Sequence, residues 1–294
     1  MGVVDFLVEP MQLDFMVRAT LITLTASAVC ATLSCWLVLI GWSLMGDAVS
    51  HSVLPGVVLA YVAGVPFAVG AVICGFLAVA LIGVVRNTSR VKEDAAIGVV
   101  FTTFFALGLT LVSVTPSHVD LNHIIFGNLL GASRSDLIQV VVIGAAVLIV
   151  LLAKRRDFTL YAFDPTHAHA IGLNPRRLGA VLLGLLALTA VVALQAVGVV
   201  LVVALLITPG ATAYLLTDRI ARMLLIAPGL ATLCAMVGLY ASYYLDTASG
   251  PMVVLVNGIV FTLVYLFNPR RGVVTARLRK PVPRASGVDA SAAR

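Results

Sequence analysis

Long runs without a charged residue divide this chain, and they constrain its fold more than any other feature. About 17 to 25 apolar residues cross the hydrocarbon core of a bilayer, so each run can carry at least one crossing. The runs cover residues 19–46, 52–85, 95–117, 137–153, 178–217, 223–245 and 247–269. Hydrophobic residues make up 61% of the 294 residues and charged residues only 11%, a balance foreign to soluble domains. The sequence therefore predicts an all-α, polytopic integral membrane protein.

The run 178–217 is too long for a single crossing. As one helix it would reach about 60 Å, roughly twice the thickness of the hydrocarbon core. The chain must therefore turn back within this run, and the turn is expected near Gly198. Two transmembrane helices are predicted here instead of one.

The first 86 residues contain enough apolar helix for three crossings, with breaks expected at Gly41 and around Gly64 and Pro66. Three full crossings give nine transmembrane helices and place the N-terminus on the extracytoplasmic side. If the segment 42–65 re-enters the membrane without crossing it, the chain has eight transmembrane helices and its N-terminus is on the cytoplasmic side. The prediction is thus eight or nine transmembrane helices.

The basic residues lie between the apolar runs, where they serve as topology markers. Cytoplasmic loops carry an excess of Lys and Arg, and counting the spans brings all four basic clusters to one side. The net charge of +6 is explained in this way without a nucleic-acid partner. The clusters are Arg86/Arg90/Lys92, Lys154 to Arg156 with Arg176/Arg177, Arg219/Arg222, and Arg270 to Lys280.

The chain is predicted to form one membrane domain, residues 17–268, in the cell membrane. Residues 1–16 are expected to form an N-terminal amphipathic segment. Residues 269–294 lack apolar periodicity and are rich in Arg, Pro, Ala and Ser, so a disordered cytoplasmic tail is expected.

Asp47 and His51 are isolated polar groups in the first long apolar region. Charged side chains in lipid cost about 2.5 to 3.5 kcal/mol on insertion scales, so such residues usually face an internal cavity and mark a pathway. Their spacing of four places both on one face of a helix, where a carboxylate and a neutral imidazole could reach one divalent metal. Spacing alone leaves a second interpretation open, in which Asp47 is an N-cap hydrogen-bonded to His51 near the interface.

Six ordered motifs resemble the permeases of manganese, zinc and iron ABC importers, from about residue 10 to residue 268. They are GDAVSHSVLPG, VKEDAAIGVVFTTFFALGL, HIIFGNLLG, FDPTHAHAIGL, TPGATAYLL and SGPMVVLVNG. The resemblance implies that residues 17–268 form a permease domain and that Asp47 and His51 line a metal site between two facing protomers. Relatives commonly carry basic residues before the first motif, where this chain has Ile40, Gly41 and Trp42. The membrane depth of Asp47 therefore does not follow from the sequence.

The segment 163–172 falls on the cytoplasmic side by the charge argument and has the signals of a short helix. Asp164 is placed to cap the helix, Pro165 suits its first turn and Gly172 suits its end. The segment resembles the coupling helix through which ABC permeases dock onto their ATPase. An ordinary loop between helices is the alternative that spacing alone favours.

Two small residues and two histidines lie within this segment. Ala168 and Ala170 are expected to contact the ATPase. His167 and His169 differ by two positions, so they do not share a helical face and are interpreted as docking-surface residues, with no role as a metal pair.

Four further residues are weaker site candidates. Glu93 and Asp94 begin a span, where acidic residues favour the helix N-terminus, and a role in the exit path is the alternative. His118 and His123, with Asp120 between them, lie in an external segment and could meet the metal or its binding protein. Exposed loops commonly carry such residues without binding a metal.

The chain has no phosphate-binding GxxxxGK[ST] motif, so it is not expected to hydrolyse ATP or to be an enzyme. The resemblance implies an assembly with a cytoplasmic ABC ATPase dimer, a second permease protomer, identical or paralogous, and an extracytoplasmic metal-binding protein. No permanently bound cofactor is expected.

Manganese is favoured as cargo over zinc or iron, because carboxylates and imidazoles without thiolate form a rather hard ligand set. The alternative function is an ion-coupled secondary metal transporter.

Overall fold

The computed structural model describes residues 9–115, 131–268 and 272, and all regular structure in these residues is helical. A 3₁₀ turn at Pro10–Gln12 comes before the first α-helix. The helices are α1 (Asp14–Ile40), α2 (Met45–Ser52), α3 (Leu54–Ala63), α4 (Phe67–Thr88), α5 (Glu93–Val114), α6 (Arg134–Ala153), α7 (Arg155–Phe163), α8 (Pro165–Ala170), α9 (Pro175–Val197), α10 (Val199–Leu216), α11 (Ile220–Leu245) and α12 (Ser249–Phe267).

Nine segments in the described residues are long and apolar enough to cross a membrane. Eight are single helices, and the ninth is the broken pair α2 and α3, which together cover Met45–Ala63. Nineteen residues of helix extend about 28 Å, close to the thickness of the hydrocarbon core. The fold thus agrees with the prediction of nine transmembrane helices. The first of them begins at Asp14, slightly before the expected domain boundary at residue 17.

The predicted breaks at three glycines are confirmed. Gly41 ends α1 with φ 89°, Gly64 ends α3 with φ 66°, and Gly198 separates α9 from α10 with φ 83°. Residues with a Cβ avoid this left-handed region, so glycine is required at each turn. At the first break the amide of Trp42 donates to the carbonyl of Leu37 at 2.7 Å, which satisfies a helix-end acceptor in the Schellman manner.

The long helix α1 lies at the centre of the protein and packs against α6, α9, α10 and α11. Alanine, serine, threonine and cysteine fill much of its buried surface, and small residues let transmembrane backbones approach closely. At the crossing with α10, a Cβ on Gly210 would lie only 2.6 Å from the Ser34 hydroxyl. The buried hydroxyl of Thr23 donates to the Ala19 carbonyl of its own helix at 2.7 Å, so it needs no other partner.

Helices α3 and α4 meet at Gly56 and Gly70, where neither position has room for a side chain. A Cβ on either glycine would collide with the carbonyl oxygen of the other. Because backbone is the obstacle, no rotamer change can relieve the collision. The close crossing of these two helices therefore requires both glycines.

We expect Gly56→Ala and Gly70→Ala each to lower the free energy of unfolding by about 1 to 3 kcal/mol, the usual cost of overpacking. Melting temperatures of the purified chain in detergent measure this effect. Gly229→Ala is the matched control, since a Cβ there meets nothing within 4 Å. An unchanged melting temperature for both crossing variants would contradict the close approach of α3 and α4.

Candidate functional site

The break between α2 and α3 lies directly after the two polar residues that the sequence singled out. Pro55 is in the first turn of α3 and has no N–H to donate to the carbonyl of His51, four residues earlier. The amide of Val53 donates to that carbonyl instead. In lipid such irregular backbone is tolerated only where it is buried in protein or lines a cavity.

Asp47 and His51 face each other one helical turn apart. The distance from His51 Nε2 to Asp47 Oδ1 is 3.3 Å, and 31% and 34% of the respective side chains are exposed. Asp47 is not an N-cap, because Leu44 holds that position and makes no side-chain capping bond. The structure therefore excludes an N-cap role for Asp47, whereas the contact between Asp47 and His51 is present.

Two phenylalanines of α5 hold the imidazole of His51. The ring centroids of Phe101 and Phe105 each lie 5.3 Å from that of His51, one tilted and one edge-on. These contacts restrict the rotation of the imidazole, so the nitrogen that faces Asp47 keeps its direction.

The pair opens into a cavity of about 480 Å³ whose remaining walls are almost wholly apolar. Among the described residues of the lining, Ser50 is the one further polar side chain besides Asp47 and His51. The apolar walls come from Val53 at the break and from α3, α5, α9, α10 and α12, as Leu54, Val57, Phe105, Leu109, Leu194, Val199, Val200, Val203, Ala204 and Val254. An ion that enters this space therefore finds its protein donors concentrated on α2.

The depth of the pair follows from the contact of α2 with α10. A Cβ on Gly46 would lie 2.8 Å from a methyl carbon of Leu206, so the two residues lie at the same level. Leu206 is seven residues from the first residue of α10 and ten from the last, or about 10 and 15 Å along the axis. Asp47 and His51 thus lie level with the middle of α10 and therefore near the middle of the membrane, a depth that the sequence left open.

Two protein ligands are too few for a stable metal site. Among the described residues, no three His, Cys, Asp or Glu side chains come together as a metal site would require. The four cysteines are buried in the helix bundle and do not line the cavity. The pair can therefore contribute only part of a coordination shell, and the other ligands must come from water or from another chain.

The segment 163–172 forms the short helix α8 with the predicted local structure. The carboxylate of Asp164 accepts the amide of His167 at 2.8 Å, Pro165 begins the helix, and Gly172 follows it with φ 88°. Ala168 is fully buried against its own chain, whereas Ala170 is exposed. Ala168 is thus part of the internal packing of this segment and does not present its side chain to a partner.

Comparisons with known proteins identify the family of this chain. The profile of the ABC 3 transport family matches residues 12–268. The chain belongs to this family. It is 48% identical over 275 residues to the manganese transport system membrane protein MntB of Synechocystis, with 94% of this chain and 90% of that protein covered. It is 44% identical over 280 residues to the chelated iron transport system membrane protein YfeC of Yersinia pestis, with 95% of each covered.

The fold of this ABC family member is similar to that of a solved structure. The fold matches PsaBC from Streptococcus pneumoniae, solved in complex with Fab, with a TM-score of 0.84 at 33% identity, over 94% of this chain and all of that one. Membership in an ABC family favours an ATP-driven transporter over the ion-coupled alternative. The chain is a multi-pass membrane subunit and not itself an enzyme.

The weaker candidates in this ABC permease have different outcomes. Glu93 begins α5, and Asp94 is exposed in its first turn, as expected for acidic residues at a helix N-terminus. His118, Asp120 and His123 lie outside the described residues. Asp94 is not among the described residues that line the cavity of the central pair.

Sequence reasoning missed the two phenylalanines that contact His51. Phe101 and Phe105 are four residues apart, so they lie on one face of α5, and this spacing was visible in the motif. An apolar face on a transmembrane helix usually meets lipid or another helix, so the spacing alone did not indicate contact with the polar pair.

We expect Ala168→Leu to lower the free energy of unfolding by about 1 to 3 kcal/mol, because the larger side chain must enter a packed site. Ala170→Leu makes the same chemical change at an exposed position of the same helix and should leave the melting temperature unchanged. Thermal unfolding of the purified chain in detergent measures both variants. Equal destabilisation would show that Ala168 is not packed more tightly than Ala170.

Proposed function

We propose that this chain is the permease subunit of an ATP-driven importer for a divalent transition metal, with Asp47 and His51 as ligands of the ion in transit. One observation carries this proposal: a carboxylate and an imidazole lie 3.3 Å apart at mid-span and open into an otherwise apolar cavity. Intramembrane ionisable residues that face a cavity typically mark an ion pathway. The names of the relatives, which refer to manganese and chelated iron transport, support this class of cargo.

The site is completed by a second permease protomer, identical or paralogous, that faces the first across the cavity. Each chain supplies one carboxylate and one imidazole, so two chains supply four ligands around a shared axis. The partial exposure of both side chains in the single chain supports such sharing. Four oxygen and nitrogen ligands form a sufficient shell for a first-row divalent metal.

Manganese is the proposed cargo. Carboxylate and imidazole without thiolate form a ligand set on the hard side of borderline, which suits manganese better than a cysteine cage would. The usual affinity order nevertheless favours zinc over manganese at such ligands. Preference for manganese therefore requires either a geometry that zinc tolerates poorly or a binding protein outside the membrane that excludes zinc.

The energy comes from a cytoplasmic ABC ATPase dimer that docks on α8 and its flanking residues. Phe163 and Ile171, which flank the helix, are 65% and 57% exposed although both are large and apolar. Ala170 and the two histidines of this segment are exposed as well. Such an apolar surface on a cytoplasmic segment fits a protein partner, and Asp164 and Gly172 fix the helix ends so that the surface is presented rigidly.

Transport into vesicles that contain the complete complex tests the metal site. We expect Asp47→Asn and His51→Gln each to reduce manganese uptake by at least about a hundredfold, since even supporting residues around metal ligands contribute 10- to 100-fold. Both variants should still insert and assemble, because removing a charge from the span lowers the cost of insertion.

Asp157→Asn is the matched control, since this carboxylate is on α7 and its oxygen lies 3.8 Å from the ammonium of Lys154. It should keep normal uptake. Near-normal uptake by Asp47→Asn or His51→Gln would exclude the pair from the pathway. Selective zinc uptake in the same vesicles, with the cognate binding protein present, would exclude manganese as the preferred cargo.

Cross-linking tests the docking surface on α8. A cysteine introduced as Ala170→Cys should link to a cysteine in the facing cleft of the ATPase, and Ala170→Glu should leave ATP hydrolysis running without uptake. Ala168→Cys is the matched control, because a buried thiol at this position cannot reach the partner. If Ala170→Cys never links while cysteines near Arg90 do, the ATPase docks on the loop between α4 and α5 instead.

A further inference from the structure

A second large cavity lies on another face of the protein, between α4 and α9. This groove has a volume of about 430 Å³, and its lining includes Phe76, Val79, Ala80 and Leu183. In the part of the chain that the structure describes, no residue lines both this groove and the cavity of Asp47 and His51. The groove is therefore separate from the proposed ion pathway.

The mouth of the groove carries two positive charges. Arg86, at the end of α4, and Arg176, at the start of α9, both line it and are both exposed. The guanidinium carbon of Arg86 lies 5.5 Å from the ring centroid of Trp42, a cation–π contact that holds it at the mouth. The two guanidinium groups make the mouth positively charged, so it favours an anion.

The groove extends from this charged mouth deep into the span. On α4 the distance from Arg86 to Phe76 is ten residues, or about 15 Å, and on α9 Arg176 precedes Leu183 by seven residues, or about 10 Å. This depth is about half of the hydrocarbon core. A soluble anion could fill only the mouth, and a folded ATPase could not enter the membrane, so the ligand must have both an anionic head and an apolar tail.

The apolar part of the groove exists because one wall is built from small residues. A Cβ on Gly83 would meet no atom within 4 Å, so the space beside it is unfilled by protein. The neighbouring Val84 and Leu81 are 55% and 41% exposed, and Val181 on the facing helix is 40% exposed. Apolar side chains that remain exposed at this depth are solvated by lipid, so the groove opens to the bilayer.

We propose that the groove binds an anionic phospholipid of the inner leaflet. The headgroup phosphate lies between Arg86 and Arg176, and one acyl chain runs along Phe76, Val79 and Leu183. Basic pockets between transmembrane helices on the cytoplasmic side are suited to anionic headgroups, each nearby arginine contributing about a fivefold gain in affinity. Tyr161, on the inner wall, belongs to α7, which leads directly into α8, so the bound lipid lies next to the segment proposed to dock the ATPase.

Native mass spectrometry of the purified permease–ATPase complex tests the proposal, with dioleoyl phosphatidylglycerol and dioleoyl phosphatidylcholine as probes. The unmodified complex should retain phosphatidylglycerol in preference to phosphatidylcholine. Arg86→Gln and Arg176→Gln should each lower retention of phosphatidylglycerol about fivefold. Arg222→Gln removes the same charge from another face of the cytoplasmic side and should leave retention unchanged.

A second pair of variants separates a lipid from an anion held by the arginines alone. Gly83→Leu adds a side chain to the groove at a position where a Cβ meets no atom within 4 Å, and it should abolish retention. Gly229→Leu makes the same change at a position of α11 where a Cβ also meets no atom within 4 Å, and it should leave retention unchanged. Equal retention of both lipids, or full retention by Gly83→Leu, would overturn the proposal. So would loss of the ATPase from Arg86→Gln and Arg176→Gln with retention of phosphatidylglycerol unchanged, since the arginines would then serve the ATPase interface.

Discussion

The polar pair on α2 can persist at mid-span only because the surrounding helices keep a cavity open beside it. A charge or an unpaired donor in hydrocarbon is costly, and so is a backbone carbonyl without a partner. The break after Ser52 creates such irregular backbone at the same level as Asp47 and His51. One cavity relieves both costs, so the break in the span and the polar pair depend on the same open space.

The position of α2 in turn depends on close packing elsewhere. Its first residues follow the turn at Gly41, and its level is set where Gly46 meets Leu206 of α10. That helix is itself held against α1 by the contact of Gly210 with Ser34. Lipid supplies no hydrophobic driving force between helices, so these small residues act by allowing many short van der Waals contacts. The site is thus fixed by packing at glycines that have no chemical role of their own.

The sequence predicted those features of the structure that depend on residues close together along the chain. The turns at Gly41 and Gly198 follow from run length and from the conformations open to glycine, and the facing of Asp47 and His51 follows from their spacing along one helix. The depth of the pair was not predictable, because it depends on a contact between residues 160 positions apart. The burial of Ala168 was equally hidden, since a six-residue helix is too short to show an apolar periodicity.

A coordination shell divided between two protomers has a consequence that a single-chain site would lack. Among the described residues that line the cavity, each chain offers a carboxylate and an imidazole, and little beyond Ser50 could replace the water of the ion. In the proposed dimer the affinity for the ion therefore depends on the separation of the two α2 helices. A movement that separates them removes half of the protein ligands at once, so release requires no proton and no competing ligand. If the ATPase docks on α8 as proposed, work done there can change the affinity for the ion through movement of the helices alone.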